Sequence, residues 1–204
     1  MIQNSVLRSI LVCSIIVTLS MISCRPSEEN AEENAAGKEL EASGRISSRD
    51  EALELLRDIG MSVFTDEVTK APDFTATTLT GDEVTLADFS GKVIFMNFWA
   101  TWCGPCKAEM PTMEDLYNDL KDENFIVLAV NQQEDPELVG EFINGSGFTF
   151  PIILDGDGLI NYQYGIRGIP TTYIIGPDGN IIAGKVGIHN YDGELYRSLF
   201  RELM

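Results

Sequence analysis

The fold is decided by one stretch, which reads Asn97-Phe98-Trp99-Ala100-Thr101-Trp102-Cys103-Gly104-Pro105-Cys106. Its first residues complete an apolar run that begins at Val93, and a run of this length is typical of a central strand buried on both faces. Apolar residues at helical spacing follow the cysteines, namely Met110, Met113, Leu116, Tyr117 and Leu120. The stretch therefore predicts a buried strand that leads directly into a helix, with a cysteine pair at the junction.

The spacing of this cysteine pair indicates either redox chemistry or metal binding. Two cysteines with two residues between them at the start of a helix can close a small disulfide ring. The unpaired N–H groups of a helix N-terminus favour a thiolate, so Cys103 is the predicted nucleophile that forms a mixed disulfide with a substrate. Cys106 lies one turn further along and is predicted to resolve it. Trp102 either supplies an apolar rim for substrate docking or packs partly buried against the domain.

Strands and helices alternate along the rest of the chain. Hairpins are predicted around Thr80-Gly81-Asp82 and Gly176-Pro177-Asp178-Gly179. The pattern further predicts strands at 125–130 and 150–154, a short helix at 159–164, a closing helix that includes 195–203, and a helix that starts at Asp135-Pro136-Glu137 with Leu138, Val139, Phe142 and Ile143 inward. This order predicts an α/β fold with a mixed central sheet and helices on both faces.

Residues 1–23 have the composition of an export signal. Arg8 is the only charged side chain before Cys24, and the apolar run that follows it is shorter than the ~20 residues that span a bilayer. Ser23-Cys24 resembles the lipobox of bacterial lipoproteins, which implies cleavage before Cys24 and lipidation of its sulfur. The alternative is an uncleaved N-terminal membrane anchor in which Cys24 has no role. Both interpretations predict a location on the extracytoplasmic, periplasmic side of a membrane.

Two short segments separate this signal from the domain. Residues 24–47 are rich in Glu, Asn, Ala, Ser and Gly, and they carry too little apolar surface to offset the entropy of folding. They are predicted to form a disordered acidic tether, lipid-anchored at Cys24. A short helix is predicted at 48–60, with Ser48 and Glu51 as a capping box and Gly60 at its end. The sequence leaves open whether this helix docks on the domain or contacts another protein.

The stretch at 97–106 closely resembles the thioredoxin superfamily, and further motifs narrow the resemblance to the TlpA/ResA-like disulfide reductases. These motifs are Ala71-Pro72-Asp73-Phe74, Gly91-Lys92, Cys106-Lys107-Ala108-Glu109-Met110-Pro111 and Gly168-Ile169-Pro170-Thr171-Thr172. The resemblance covers residues 71–204. It implies a three-layer thioredoxin-like fold with an N-terminal β-hairpin and a strand–helix insertion near 125–154, and it implies a protein-disulfide reductase that uses no cofactor or metal.

The same resemblance implies roles for further residues. Thioredoxins carry a buried aspartate where this chain has Asn97, so that proton acceptor is absent. TlpA/ResA-like proteins instead place a glutamate three residues after the second cysteine, and Glu109 there could take the proton of Cys106. The alternative is a solvated Glu109 that pairs with a lysine. Pro170 matches the family's cis-proline, which faces the disulfide and aligns the substrate, and Ile169 beside it is also predicted to bind substrate.

Other functions remain open at this point. A copper-carrying thioredoxin-fold protein could use the two cysteines and His189, although such proteins space their cysteines more widely, and a zinc site would lack a second cysteine pair. A peroxidase of the AhpC/TSA group carries its threonine and cysteine in a different motif, which Thr101 matches poorly. A binding module could keep the fold without catalysis.

The expected partners follow from the location and the resemblance. Exported compartments are oxidising, so a dithiol there needs a dedicated electron donor. The resemblance implies a membrane thiol carrier as that donor, with apocytochrome c or other disulfide-bonded proteins as substrates. The dipeptide Gly104-Pro105 is found in reducing thioredoxins and favours a reductant. The formal net charge of −18 argues against nucleic-acid binding, because a negative surface repels phosphate backbones.

Overall fold

Eight strands and five helices make up the part of the chain that the computed structural model describes, residues 46–64 and 69–204. The strands are β1 (Ser62–Val63), β2 (Thr75–Thr78), β3 (Glu83–Thr85), β4 (Val93–Trp99), β5 (Phe125–Gln132), β6 (Ile152–Asp155), β7 (Thr171–Ile175) and β8 (Ile181–Val186). The helices are α1 (Arg49–Asp58), α2 (Gly104–Leu120), α3 (Pro136–Ser146), α4 (Leu159–Gln163) and α5 (Glu194–Leu203), and a 3₁₀ turn covers Leu86–Phe89. The predicted strand that leads into a helix is confirmed as β4 and α2.

The strands form one mixed sheet in the order β1-β8-β7-β4-β5-β6-β2-β3. Strand β4 lies parallel to β5 and antiparallel to β7, with Asn97 opposite Thr172. Strand β6 lies parallel to β5 and antiparallel to β2, so the predicted hairpin of β2 and β3 forms one edge of the sheet. The cysteines follow the carboxyl end of β4, beside the carboxyl end of β5 and the beginning of β7.

Both faces of β4 are buried, as its apolar run predicts. Successive side chains of a strand point to opposite faces, and the two sets enter two separate apolar clusters. One cluster contains Val93, Phe95 and Trp99, and it is covered by side chains from α1, α2, α3 and α5. The other contains Ile94, Met96 and Phe98, and it is covered by α4, the 3₁₀ turn and Phe74. The predicted α/β fold with a mixed sheet between two outer layers is confirmed.

The short helix before the domain is part of this core. The Ser48 hydroxyl caps α1 by accepting a hydrogen bond from the backbone N–H of Glu51 at 3.2 Å. Its side chains Ala52, Leu55 and Leu56 are buried in the same cluster as Trp99. Strand β1 then pairs with β8. The helix therefore docks on the domain, which the sequence left open, and the packed chain already includes the buried Ile46.

Some sequence predictions need correction or lie outside the described residues. Leu138 was expected on the inner face of α3, but it is 48% exposed, because Val139 and Ile143 occupy the inward positions one turn apart. The strand expected at 150–154 begins at Ile152, and the segment 125–154 supplies β5, α3 and β6. The signal, Cys24 and nearly all of the tether are not among the described residues. Within residues 46–64 and 69–204, no helix combines the length and apolar character needed to cross a membrane.

Candidate active site

Cys103 and Cys106 form a disulfide at the beginning of α2. Cys103 is the N-cap residue of the helix, and its Sγ accepts a hydrogen bond of 3.2 Å from the backbone N–H of Cys106. Cys103 is 5% exposed, whereas Cys106 is fully buried. In the reduced protein, the same helix N-terminus would stabilise negative charge on Cys103, because its N–H groups lack helical partners. Cys103 is thus the more exposed of the two cysteines and lies at the helix N-terminus. Attack by Cys103 and resolution by Cys106 stay predictions.

Glu109 lies one helical turn after Cys106 and is 1% exposed. Its carboxyl group accepts a hydrogen bond from the Asn97 side-chain amide at 2.8 Å and another from the backbone N–H of His189 at 3.1 Å. Burial raises the pKa of Glu109 to about 7, although both hydrogen bonds oppose that rise. The alternative of a solvated Glu109 that pairs with a lysine is wrong. A carboxyl group with this pKa can accept and release a proton near neutral pH.

Pro170 lies at the same edge of the sheet as the cysteines. The Ile169–Pro170 peptide bond is cis, as the resemblance implies. Pro170 directly precedes β7, and because β7 runs antiparallel to β4, its beginning lies beside the end of β4. Pro170 is buried and Ile169 is partly buried. The topology therefore brings two of the predicted substrate-binding residues, Ile169 and Pro170, to the edge that carries Cys103.

A model of the AhpC/TSA family matches residues 68–183, which is more than half of the chain. The chain belongs to the AhpC/TSA family. The thiol-disulfide oxidoreductase ResA of Geobacillus kaustophilus is 39% identical over 138 residues, covering 63% of this chain and 79% of the relative. ResA of Bacillus subtilis is 36% identical over 131 residues, covering 61% of this chain and 73% of the relative. The predicted resemblance to ResA-like proteins is confirmed.

Solved structures agree with this assignment. A thiol:disulfide interchange protein of the thioredoxin family from Chlorobium tepidum superposes with a TM-score of 0.60 at 26% identity, covering 69% of this chain and 99% of that one. StoA from Bacillus subtilis superposes with a TM-score of 0.53 at 28% identity, covering 59% and 91%. This AhpC/TSA-family protein is a thiol–disulfide oxidoreductase with a thioredoxin-like fold.

Trp102, next to Cys103, is 68% exposed. The alternative of ordinary packing is therefore wrong, and the side chain is free to contact a substrate. Two more exposed apolar residues lie across the same edge, since Val186 pairs with Thr171 beside Pro170, and Ile188 follows shortly after. A docking partner would thus meet apolar side chains on both sides of the Cys103–Pro170 edge.

Glu134 is a residue of the site that the sequence reasoning missed. Its carboxylate accepts hydrogen bonds from the Thr101 backbone N–H at 2.7 Å, the Thr101 hydroxyl at 2.5 Å and the Asn131 side-chain amide at 2.7 Å. These bonds hold the turn that leads into Cys103. In the structure Thr101 is thus bonded to Glu134, whereas the peroxidase alternative would have given it a catalytic role. The available signal was that Asn131 and Glu134 come at the carboxyl end of β5, which neighbours β4.

His189 was the third residue proposed for a copper site. Its ring Nε2 shares a hydrogen bond of 2.7 Å with the Tyr196 hydroxyl, and its backbone N–H donates to Glu109. The two cysteines are bonded to each other. Among residues 46–64 and 69–204, no group of three or more His, Cys, Asp or Glu side chains is arranged to hold a metal ion.

Proposed function

We propose that this oxidoreductase reduces disulfide bonds of exported proteins, and that Glu109 acts as the proton acceptor for Cys106. The observation that carries the proposal is the buried Glu109 carboxyl group, one turn beyond the resolving cysteine, with a pKa of about 7. A resolving thiol must lose its proton before it can attack. A buried base with a pKa near the working pH is suited to that task.

The proposed reaction starts from the reduced pair. The Cys103 thiolate attacks one sulfur of the substrate disulfide, so that a Cys103–substrate bond forms and the substrate's second sulfur leaves as a thiolate, which takes a proton from solvent. Cys106 then transfers its proton to Glu109 and attacks Cys103. The second bond breaks, and the released substrate thiolate accepts a proton in turn. The substrate disulfide has gained two electrons, and the oxidoreductase has become the disulfide seen in the structure.

Insulin reduction with dithiothreitol tests this proposal. Cys103→Ser should abolish the protein-dependent rate, and Glu109→Gln should lower it by roughly 100-fold at pH 7, because a positioned base contributes at least that much. Cys106→Ser should trap the mixed disulfide. If Glu109→Gln keeps the wild-type rate and pH profile, Glu109 is not the proton acceptor. If Cys103→Ser keeps the wild-type rate, the cysteine pair is not the reductant.

The direction of electron flow rests on Gly104-Pro105, the dipeptide of reducing thioredoxins. We expect a reduction potential nearer to the thioredoxin value of about −270 mV than to the value of about −120 mV of strong oxidants. Equilibration of the cysteine pair with glutathione buffers measures it, and a value near the second figure would reverse the direction. Apocytochrome c is the proposed substrate class, with a membrane thiol carrier as the electron donor, by analogy with TlpA/ResA-like proteins.

The proposed location is the extracytoplasmic side of a membrane, where Cys24 carries the lipid anchor. Support comes from the apolar run before Cys24 and from Ser23-Cys24 after it. Labelling cells with a radioactive fatty acid tests the anchor. Wild-type protein should take up label and Cys24→Ala should not, and label retained by the variant would exclude lipidation at this cysteine.

A further inference from the structure

The loop at residues 187–191 connects two parts of the active site. At one end, the Gly187 backbone N–H donates a hydrogen bond of 2.8 Å to the carbonyl of Pro170. At the other end, the Tyr191 N–H donates to the Thr112 hydroxyl at 3.2 Å, and that hydroxyl donates to the carbonyl of Glu109 at 2.9 Å. The loop thus runs from the substrate-facing proline to the cysteine-bearing helix.

His189, in the middle of this loop, has two separate attachments. Its backbone N–H donates to Glu109 Oε2 at 3.1 Å. Its ring shares a hydrogen bond of 2.7 Å with the hydroxyl of Tyr196 on α5. The ring also lies edge-on against the rings of Tyr191 and Tyr196, at centroid distances of 4.9 and 5.5 Å. The side chain therefore fixes the backbone group that Glu109 uses.

We propose that His189 and Tyr196 are positioning residues, which hold the loop on α5 so that the His189 backbone N–H stays on the carboxylate of Glu109. This inference rests on the proposed role of Glu109 as the proton acceptor. In this role the imidazole ring exchanges no proton with substrate.

Anchoring is needed because the two donors to Glu109 differ in rigidity. Asn97 is fixed in the central strand β4 and is fully buried. The loop residues Ile188 and Asn190 on either side of His189 are exposed. An open groove with a volume of about 580 Å3 is lined by this loop, by α2 and by Tyr196. Gly187 and Tyr191 hold the two ends of the loop. Without the ring contact to α5, the exposed middle of the loop would lose its side-chain attachment, and the N–H of His189 could move away from the carboxylate of Glu109.

The loss of that donor has a predictable sign. A hydrogen bond to a carboxylate stabilises the charged form, so its removal raises the pKa of Glu109 further above its ordinary value. The free energy of a hydrogen bond to a charged group corresponds to a pKa change of about one or more. With the wild-type pKa of about 7, a rise of one unit would lower the ionised fraction at pH 7 by about fivefold.

The other titratable groups around His189 and Glu109 would not produce such a rise in the pKa of Glu109. Burial and the nearby Lys185 lower the pKa of His189, so its ring is neutral at pH 7 and above. Burial raises the pKa of Tyr191 far above neutrality. The strands β4 and β7 contribute the neutral Asn97 and Thr172. In the described part of the chain, four titratable groups face His189 and Glu109 from neighbouring elements. They are Lys185 on β8, Tyr191 and Asp192 in the loop region, and Tyr196 on α5.

The test measures the pKa of Glu109 in the oxidised protein by carboxyl ¹³C NMR. Tyr196→Phe and His189→Ala should each raise it by about one unit, whereas His189→Gln should stay near wild type, because its side-chain amide can still reach the Tyr196 hydroxyl. Tyr162→Phe is the matched control, since Tyr162 on α4 is 83% exposed. An unchanged Glu109 pKa in folded Tyr196→Phe and His189→Ala would overturn the inference, and so would an equal rise in His189→Gln.

A second readout separates this inference from the proposed function. The rate at which Cys106 resolves a mixed disulfide should shift to higher pH in Tyr196→Phe, in parallel with the Glu109 pKa. If the NMR pKa moves but the rate profile does not, His189 and Tyr196 position Glu109 while Glu109 is not the proton acceptor. If neither moves in Tyr196→Phe while Glu109→Gln still slows resolution, the proposed function stands and the positioning role fails.

Discussion

The side-chain amide of Asn97 on the central strand donates a hydrogen bond of 2.8 Å to the buried carboxyl group of Glu109 on the cysteine-bearing helix. The same nitrogen donates to the Thr172 hydroxyl at 3.0 Å. A carboxylate only accepts hydrogen bonds, so the amide of Asn97 supports Glu109 in a way that an ionised aspartate at this position could not. The strand therefore contributes to the proposed proton acceptor, because Asn97 supports Glu109 on the neighbouring helix.

Asn97→Asp should shift the activity to higher pH. Aspartate has nearly the same shape as asparagine, but it replaces a hydrogen-bond donor by a second carboxyl group in a buried site. Two such groups at hydrogen-bond distance cannot both ionise readily, so the pair would hold a proton to higher pH and titrate as a unit. We expect the midpoint of the pH profile of insulin reduction to rise by at least about one unit.

An exposed pair on the same helix is a matched control for that substitution. Asn118 donates to Glu114 at 2.8 Å, but both lie near solvent. Asn118→Asp should leave the pH midpoint unchanged, because water screens the added charge. A midpoint in Asn97→Asp that equals those of wild type and Asn118→Asp would contradict the coupling between Asn97 and Glu109.

Glu109 should also make the stability of the oxidised protein depend on pH. Its folded pKa of about 7 lies above its ordinary value of 4.5, so folding favours the protonated form. The stabilisation is fully present below about pH 4.5 and is lost as the pH rises through 7. Over that window, the free energy of unfolding should fall by roughly 3 kcal/mol on account of this one group.

Urea unfolding of wild type and Glu109→Gln between pH 4.5 and 8 measures this contribution. Other ionisable groups cancel in the difference, so wild type should lose stability relative to the variant as the pH rises, and the loss should level off toward pH 8. Two curves that run parallel across the window would show that Glu109 titrates at its ordinary pKa in the folded protein.

The elements of the fold were predictable because their signals are local. The apolar run of β4, the cysteine spacing and the Asp135-Pro136-Glu137 start of α3 each lie within a few consecutive residues, and each appears where it was expected. The exposed Leu138 shows the limit of this reasoning. An apolar residue beside the inward stripe of a helix looks the same in sequence whether a neighbouring element covers it or not.

The partners of the site were less predictable, because they meet through the fold. Glu109 was identified from its distance to Cys106 and a family resemblance, but its contact with Asn97 depends on how α2 packs on β4. Its second donor is the backbone N–H of His189, which every residue except proline possesses and which no side-chain pattern reveals. Glu134 reaches Thr101 only because β4 and β5 are neighbours in the sheet.

Glu134→Ala should destabilise the protein and slow its reaction. The Glu134 carboxylate accepts three hydrogen bonds, two of them from Thr101 in the turn before Cys103. Loss of the carboxylate should lower the free energy of unfolding by about 2 kcal/mol, and insulin reduction should slow several-fold because Cys103 is less firmly placed. Glu141→Ala removes an exposed carboxylate from α3 and is the control. Equal stability and rates in the two variants would mean that Glu134 does not hold the turn.

Trp102→Ala should weaken docking of protein substrates without altering the chemistry of the cysteines. Trp102 is 68% exposed beside Cys103, so its removal leaves no cavity in the domain. Burial of part of this ring against a substrate stabilises the complex, and loss of that contact should lower kcat/KM for insulin about tenfold, mainly by raising KM. The rate with a small disulfide such as oxidised glutathione should stay the same.

Tyr162→Ala is the control for this prediction. It removes an 83% exposed aromatic ring from α4 and should change the rate with neither substrate. Equal losses on insulin and glutathione in Trp102→Ala would assign Trp102 to the reactivity of Cys103, and no loss on either would exclude it from the docking surface.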